Sequence, residues 1–364
     1  MHRLRVKKSM EKTMSKTVYI CACADKSAGG GVYEYALENG GKFEERAYLS
    51  CDKPMFAAQD GEKLHVLLRA PFVGQNLVNP LARAAASGAE KAQNRLGGEE
   101  KCSGYISCNA DFSGISEIKS TMGVCACHIA AAEGDTYIAN YLSGNFVKNC
   151  HICVPHEGVG VNLPRQDMPH THFAAFSRDK KRVFCCDLGL DTVFVYDRNL
   201  NEISRAKVPA GYGVRHLAIS QNGHTVYAIN ELVPSVTVFA FDGDALERKA
   251  TVLLPCEVKT STAAAIRLSA DEKTLYASVR AENALYALDI SGARAGADGT
   301  PEVIQKVSCG GDSPRDFDIF GDFLVCCNES SDNVTVFALE KRGKIGELVS
   351  ELRIPAPLCV ISGK

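Results

Sequence analysis

The sequence predicts an all-β protein, a seven-bladed β-propeller of four-stranded antiparallel blades. Three observations carry the prediction. A pattern of two short apolar runs, each closed by a polar turn, recurs from residue 124 onward; its copies fall 43 to 51 residues apart; and the longest apolar stretches are strand-sized, far short of the roughly 20 residues of a membrane helix. The first run of each copy begins at Cys127, His172, Arg215, Ala264 and Arg315, and the second ends at Asn140, Asp187, Asn230, Val279 and Asn328. Alternating Val, Phe and Tyr follow, so each copy reads as three or four strands. A repeat of roughly 40 to 50 residues is that of propeller blades, and 364 residues hold between seven and eight of them.

The N-terminal part fits the same scheme more loosely. Phe56 to Arg69 looks like another copy, and Thr17 to Leu37 supplies a strand pair. Residues 1–16 read as a basic, disordered leader and 17–364 as a single propeller domain. A segment at 79–100, rich in Ala, Gly and charge, reads as an insertion that forms a surface helix or loop. A last strand, Leu352 to Ile361, is expected to complete the blade begun by the N-terminal strands, because a ring of sheets holds only when its first and last blades are locked. The chain has no Trp, which argues against the scaffold propellers that carry a Trp-Asp signature.

Charge and cysteine content narrow the function. With 41 basic and 43 acidic residues, no broad field gathers nucleic acid or a membrane surface, so any anion must be bound locally. The start lacks the apolar middle of a secretory signal, and a cytoplasmic location is expected. Many of the 16 cysteines, such as Cys185, Cys186, Cys326 and Cys327, stand where strands would carry Val or Ala; they read as small buried hydrophobes in a reducing compartment. Cys125, Cys127, His128, Cys150, His151, Cys153 and His156 include one C-x-x-C and otherwise alternate like strand residues. The structural reading is preferred to a zinc site, and neither metal nor cofactor is expected.

In a propeller, equivalent positions of successive blades converge at the central channel. The first position of the repeat carries Cys127, His172, Arg215, Ala264 and Arg315. Packing would not select two arginines and a histidine there, so the set points to a pocket for a small anionic substrate. The residue just after the second run is Tyr141, Leu188, Glu231, Arg280 and Glu329, which places two carboxylates near the same rim, where one can transfer a proton. Competing readings stand beside these: inter-blade ion pairs for Arg215 and Arg315, a surface turn for Glu231, and turn capping for Asn140, Asp187, Asn230 and Asn328. His170 and His172 share a strand face. His128 and His216 fall one step further on, hence on the opposite pleat, and read as core histidines bonded to neighbouring backbone.

Through Pro169-His-Thr-His172, Cys185-Cys-Asp-Leu-Gly-Leu-Asp-Thr-Val193, Gly213-Val-Arg-His-Leu217, Ala228-Ile-Asn-Glu-Leu232, Gly311-Asp-Ser-Pro-Arg315 and Asn328-Glu-Ser-Ser-Asp-Asn-Val334, the chain resembles the lactonase family of seven-bladed propellers. The resemblance spans Thr17 to Ile361. The family contains bacterial 6-phosphogluconolactonases and carboxy-muconate lactonising enzymes. The resemblance implies metal-independent hydrolysis of a sugar-phosphate lactone, with Glu231 or His172 as the base and Arg215 on the oxyanion. Arg315 and His170 would hold phosphate or hydroxyls, with Asn230, Asp187 and Arg69 as further substrate contacts. A carboxy-muconate cycloisomerase and a non-catalytic binding propeller are the alternatives. Two departures stand out: Leu68-Arg69 replaces an Asn-Glu pair usual in the second blade, and the blade beginning at Ala264 lacks the Arg or His of its neighbours.

Overall fold

The computed structural model describes residues 15–72, 102–292 and 300–363. These form seven four-stranded antiparallel sheets set in a ring, the seven-bladed propeller that the repeat predicts. The inner strands, in order from blade 1 to blade 7, are Pro357–Ser362, Pro54–Asp60, Ala126–Ala132, Thr171–Phe176, Val214–Ile219, Thr262–Leu268 and Pro314–Phe320. Each packs against the next around the channel.

Burial grades outward across each blade. In blade 4 the second strand, Arg182–Asp187, is buried over Val183-Phe-Cys-Cys186 because neighbouring sheets cover both of its faces. This is why small and apolar residues, cysteines among them, run consecutively there. The outermost strand, Glu202–Lys207, faces solvent and is mostly polar.

Closure differs in one detail from the expected strand at Leu352 to Ile361. Leu352 belongs to the outer strand of blade 7, Ile345–Arg353, and the closing strand starts at Pro357. That strand is the innermost of blade 1 and pairs antiparallel with Lys16–Ala22, with Ile20 opposite Val360 and Cys21 opposite Cys359. Lys16, assigned from sequence to the leader, opens this first strand. Residues 1–14 and the expected insertion at 79–100 lie outside the described residues. Among those described, no helix is long and apolar enough to cross a membrane.

Every inner strand breaks its regular pairing near its start. The register skips Met55, Cys127, His172, Arg215, Arg315 and Leu358 in six blades, and Ala264 with Ala265 in the remaining one. Such a bulge leaves one residue unpaired and re-aims its side chain. In five blades the residue two places earlier has a left-handed backbone: Lys53, Cys125, Gly213, Ser313 and Ala356. Its carbonyl accepts the N–H of the residue one place beyond the stretch of the second strand that pairs with the inner one. The pairs are Arg69 to Lys53 (2.8 Å), Tyr141 to Cys125 (3.0 Å), Glu231 to Gly213 (2.7 Å), Glu329 to Ser313 (3.0 Å) and Cys23 to Ala356 (2.9 Å). Gly213 is required twice over, since its φ is +67° and a Cβ would lie 2.7 Å from Leu232 Cγ.

Ring closure gives a stability test. The closing strand buries Leu358, Cys359 and Val360, on the order of 5 kcal/mol of apolar burial. A chain truncated after Ala356 is expected to lose its single cooperative thermal transition. Calorimetry showing an unchanged transition would contradict this closure.

Candidate active site

The bulges act together. Met55, Cys127, His172, Arg215, Arg315 and Leu358, one from each of six blades, line a single cavity of about 10 Å³ in the channel, room for about one water. The residues at the exits of the second strands form a second ring beside it: Cys23, Arg69, Tyr141, Leu188, Glu231, Arg280 and Glu329, in blade order, Arg69 lying within Lys63–Phe72 and Arg280 closing Thr274–Arg280. Six of them reach their place through the backbone hydrogen bond to the strand entry, His170 O accepting from Leu188. Arg280 pairs with Thr262 in the sheet instead.

Glu231 is the centre of the charged network. Its Oε2 accepts from Arg215 Nε at 3.0 Å and Arg280 Nη2 at 3.1 Å, and its Oε1 accepts from Arg165 Nη2 at 2.7 Å. Burial alone would favour the neutral acid. The Arg280 and Arg215 guanidiniums outweigh it, and with Arg165 they hold the carboxyl well below its ordinary range. Arg215 is itself pinned, its Nη1 donating to Ala264 O at 2.6 Å and lying 3.0 Å from His216 Nε2. Burial and the neighbouring Arg280 and Arg315 lower its pKa. Arg280 donates from Nη2 to Ala263 O at 3.1 Å, while its buried Nε has no partner among the described residues.

Further round the rim, Arg315 Nη1 lies 3.3 Å from Glu329 Oε2. The Cys23 and Cys125 thiols sit in the field of Arg69 and Arg315; burial still raises both, Cys23 to about 11, so they are protonated at neutral pH. Five guanidiniums thus surround two rim carboxylates. A third carboxylate at the cavity, Asp316, is paired from below with Arg267 at 2.8 Å. His172 is buried, its ring 5.6 Å from Tyr141 and 5.3 Å from His216, and its Nδ1 has no partner among the described residues. Burial and Arg215 push its pKa well below 6.5, so the imidazole is neutral.

His172, Arg215, Glu231 and Arg315 therefore come together as the repeat predicts, and Arg69 joins the rim. The other three selected residues support the rim from behind. Asp187 turns back from the channel because Oδ1 caps the His170 and Leu190 N–H groups at 2.8 and 3.1 Å and Oδ2 holds His156 Nδ1 at 2.6 Å. Asn230 points along its own blade, donating to the Ser235 and Thr237 hydroxyls at 2.9 Å each. His170 stacks on Tyr141, bonds its carbonyl at 2.9 Å through Nδ1 and faces Asp167 through Nε2. Its ring is a prop under Tyr141.

The bulges also correct the expected pleat of His216. Strict alternation puts it opposite Arg215, yet both line the cavity, because the unpaired residue shifts the alternation. His128 lines a separate cavity of about 410 Å³ toward the other ends of these strands, its Nδ1 accepting from Ala174 N at 3.3 Å. Among the described residues no three His, Cys, Asp or Glu side chains converge as a metal-ligand set. Two rim cations escaped selection. Arg280 occupies the repeat position of Glu231, so the signal was present; Arg165 lies on the loop 156–170, which has no counterpart in other blades.

The seven blades thus bring a cationic, carboxylate-centred cluster of side chains to the channel mouth. The description "Lactonase, 7-bladed beta-propeller" matches residues 17–362, and the chain belongs to that family. A 6-phosphogluconolactonase of Bacillus subtilis is 27% identical over 263 residues, covering 65% of this chain and 73% of the relative. An uncharacterised protein of Staphylococcus saprophyticus is 28% identical over 257 residues, covering 64% and 73%. Among solved structures, a periplasmic gluconolactonase of Pseudomonas aeruginosa superposes with a TM-score of 0.77 at 22% identity, covering 96% of this chain and 99% of that one.

The charge network predicts a pH-dependent stability difference. Glu231 has a folded pKa below its unfolded value of roughly 4.3, so its contribution is complete above that pH and is lost as pH falls through the folded value. Glu231→Gln leaves buried guanidiniums uncompensated and is expected to cost about 3 kcal/mol at pH 7. Urea unfolding at descending pH should show the gap to wild type closing below about pH 4.

Proposed function

We propose that the protein hydrolyses 6-phosphogluconolactone to 6-phosphogluconate without a metal. One observation carries the reading: five guanidiniums gathered around two carboxylates and a neutral histidine at the channel mouth. A phosphorylated lactone needs a cationic grip on phosphate, a positive field where the carbonyl oxygen gains charge, and a group that takes a proton from water. Arg315 and Arg69 hold the phosphate. Arg215 and Arg280, fixed through Glu231 and backbone carbonyls, stabilise the oxyanion.

Water attacks the lactone carbonyl carbon as its proton passes to Glu231, with neutral His172 alongside. The tetrahedral intermediate collapses by breaking the bond to the ring oxygen, which takes the proton back. The product is an open-chain acid whose carboxyl proton leaves to solvent. A carboxylate with a depressed pKa is a weak base, and a ring ester asks little of one. The Bacillus subtilis relative's name supports this substrate. The same reading places the protein in the cytoplasm, where sugar phosphates are retained by their charge; its 16 unpaired thiols agree with a reducing compartment.

The test is acid release from 6-phosphogluconolactone above the spontaneous rate. Glu231→Gln, checked for folding by circular dichroism, is expected to lower turnover by about two to four orders of magnitude. Unchanged turnover removes Glu231 from the mechanism, and ultraviolet loss with carboxy-muconate in place of lactone hydrolysis would replace the reading. Because Glu231 and His172 both titrate well below their ordinary values, kcat, read at saturating substrate so that the free phosphate with its second pKa of roughly 6 does not enter, is expected to stay flat from about pH 8 down to about pH 5.5. An acidic limb near 6.5 would show that His172 ionises as an ordinary histidine.

A further inference from the structure

The three guanidiniums on Glu231 differ in freedom. Arg215 and Arg280 have side chains 3% and 14% exposed, start from blade strands, and also donate to the carbonyls of Ala264 and Ala263. Arg165 is 44% exposed and comes from a loop. It uses a single nitrogen, Nη2, on Glu231 Oε1 at 2.7 Å and on the Tyr141 hydroxyl at 3.4 Å. Among the described residues its Nε and Nη1 have no protein partner. Glu231 is divided to match: Oε2 is held by the two buried arginines, whereas among the described residues Oε1 is held by Arg165 alone.

The base of this arm is fixed even though its tip is free. Next in sequence, Gln166 is fully buried and donates through Nε2 to Leu188 O at 2.8 Å and Asp191 Oδ1 at 2.7 Å. Its Oε1 accepts from Asn162 N at 2.9 Å and its carbonyl from Gly160 N at 2.8 Å. The loop thus presents a planar, two-pronged donor at the open side of the site, with prongs available for an oxyanion.

Resting on the lactonase reading above, we infer that Arg165 is the specificity-determining arm of the site: it exchanges Glu231 Oε1 for the phosphate of the substrate, so that anion binding uncovers the oxygen that accepts the proton. Arg315 and Arg69 complete the phosphate grip from the Glu329 side. Recognition of the phosphate and exposure of the base become one event. A lactone without phosphate leaves Arg165 on Glu231 and meets a covered base.

Two measurements test this. Calorimetric titration with 6-phosphogluconate and with gluconate reads the grip independently of turnover. Wild type is expected to prefer the phosphorylated acid, and Arg165→Ala to reduce that preference tenfold or more; a smaller reduction, or no preference in wild type, overturns the inference. Kinetics with 6-phosphogluconolactone and gluconolactone read the cover. Arg165→Ala should raise KM for the phosphorylated lactone at least tenfold while kcat for gluconolactone rises, an unchanged gluconolactone kcat overturning the inference, and Arg165→Lys should recover part of the KM. An equal fall in kcat for both lactones with their KM ratio intact would mean that Arg165 merely positions Glu231, and overturns the inference. Wild type without turnover of either lactone sinks the hydrolase reading instead, and the titration still decides the role of Arg165.

Discussion

A regular strand sends consecutive side chains to opposite faces, so a ring of regular inner strands could offer its channel only alternate residues. Here each inner strand carries an unpaired residue at the same depth. That one irregularity lets Arg215 and His216, or Arg315 and Asp316, face the same cavity. In five blades it follows a left-handed residue two places earlier, which turns its carbonyl toward the following rim residue. Four of the five left-handed positions are filled by Lys, Cys, Ser or Ala, residues that gain nothing locally from this conformation. The strain is retained because the blade's hydrogen bonding over-determines the turn.

Electrostatics then follow from position. A buried carboxylate is costly in isolation, and Glu231 stays charged because three arginines from two blades and a loop meet on it. Those arginines are tolerated at close quarters for the same reason. The mouth keeps an excess of positive charge in a molecule whose net charge is −2, so its attraction for anions is local and is weakened little by the rest of the surface.

Much of this was legible in the sequence. The 43 to 51 residue spacing left between seven and eight blades, narrowed to seven by setting aside the leader and the insertion, and aligning the blades by the starts of the first runs and the ends of the second singled out His172, Arg215, Glu231 and Arg315, since ring symmetry turns equal repeat positions into neighbours. Side-chain direction was harder to read. Asp187 and Asn230 occupy the right column but are consumed as caps and blade-internal donors, and the pleat of His216 was missed because a bulge has no residue type of its own. Arg165 could not be found by repeat logic, since its loop occurs once. Arg280 shared the column with Glu231 and was passed over as one cation among residues read for carboxylates.

The pairing of Lys16–Ala22 with Pro357–Ser362 also sets an order of events at the ribosome. Blade 1 lacks its innermost strand until residue 362 has emerged, so Lys16–Ala22 waits through the synthesis of all the other blades for its mate. Until then the exposed edge of Lys16–Ala22 is a place where a nascent chain could pair with another copy. Leu358, which the same late strand brings to the channel, leaves the cavity open until the six other blades have been made.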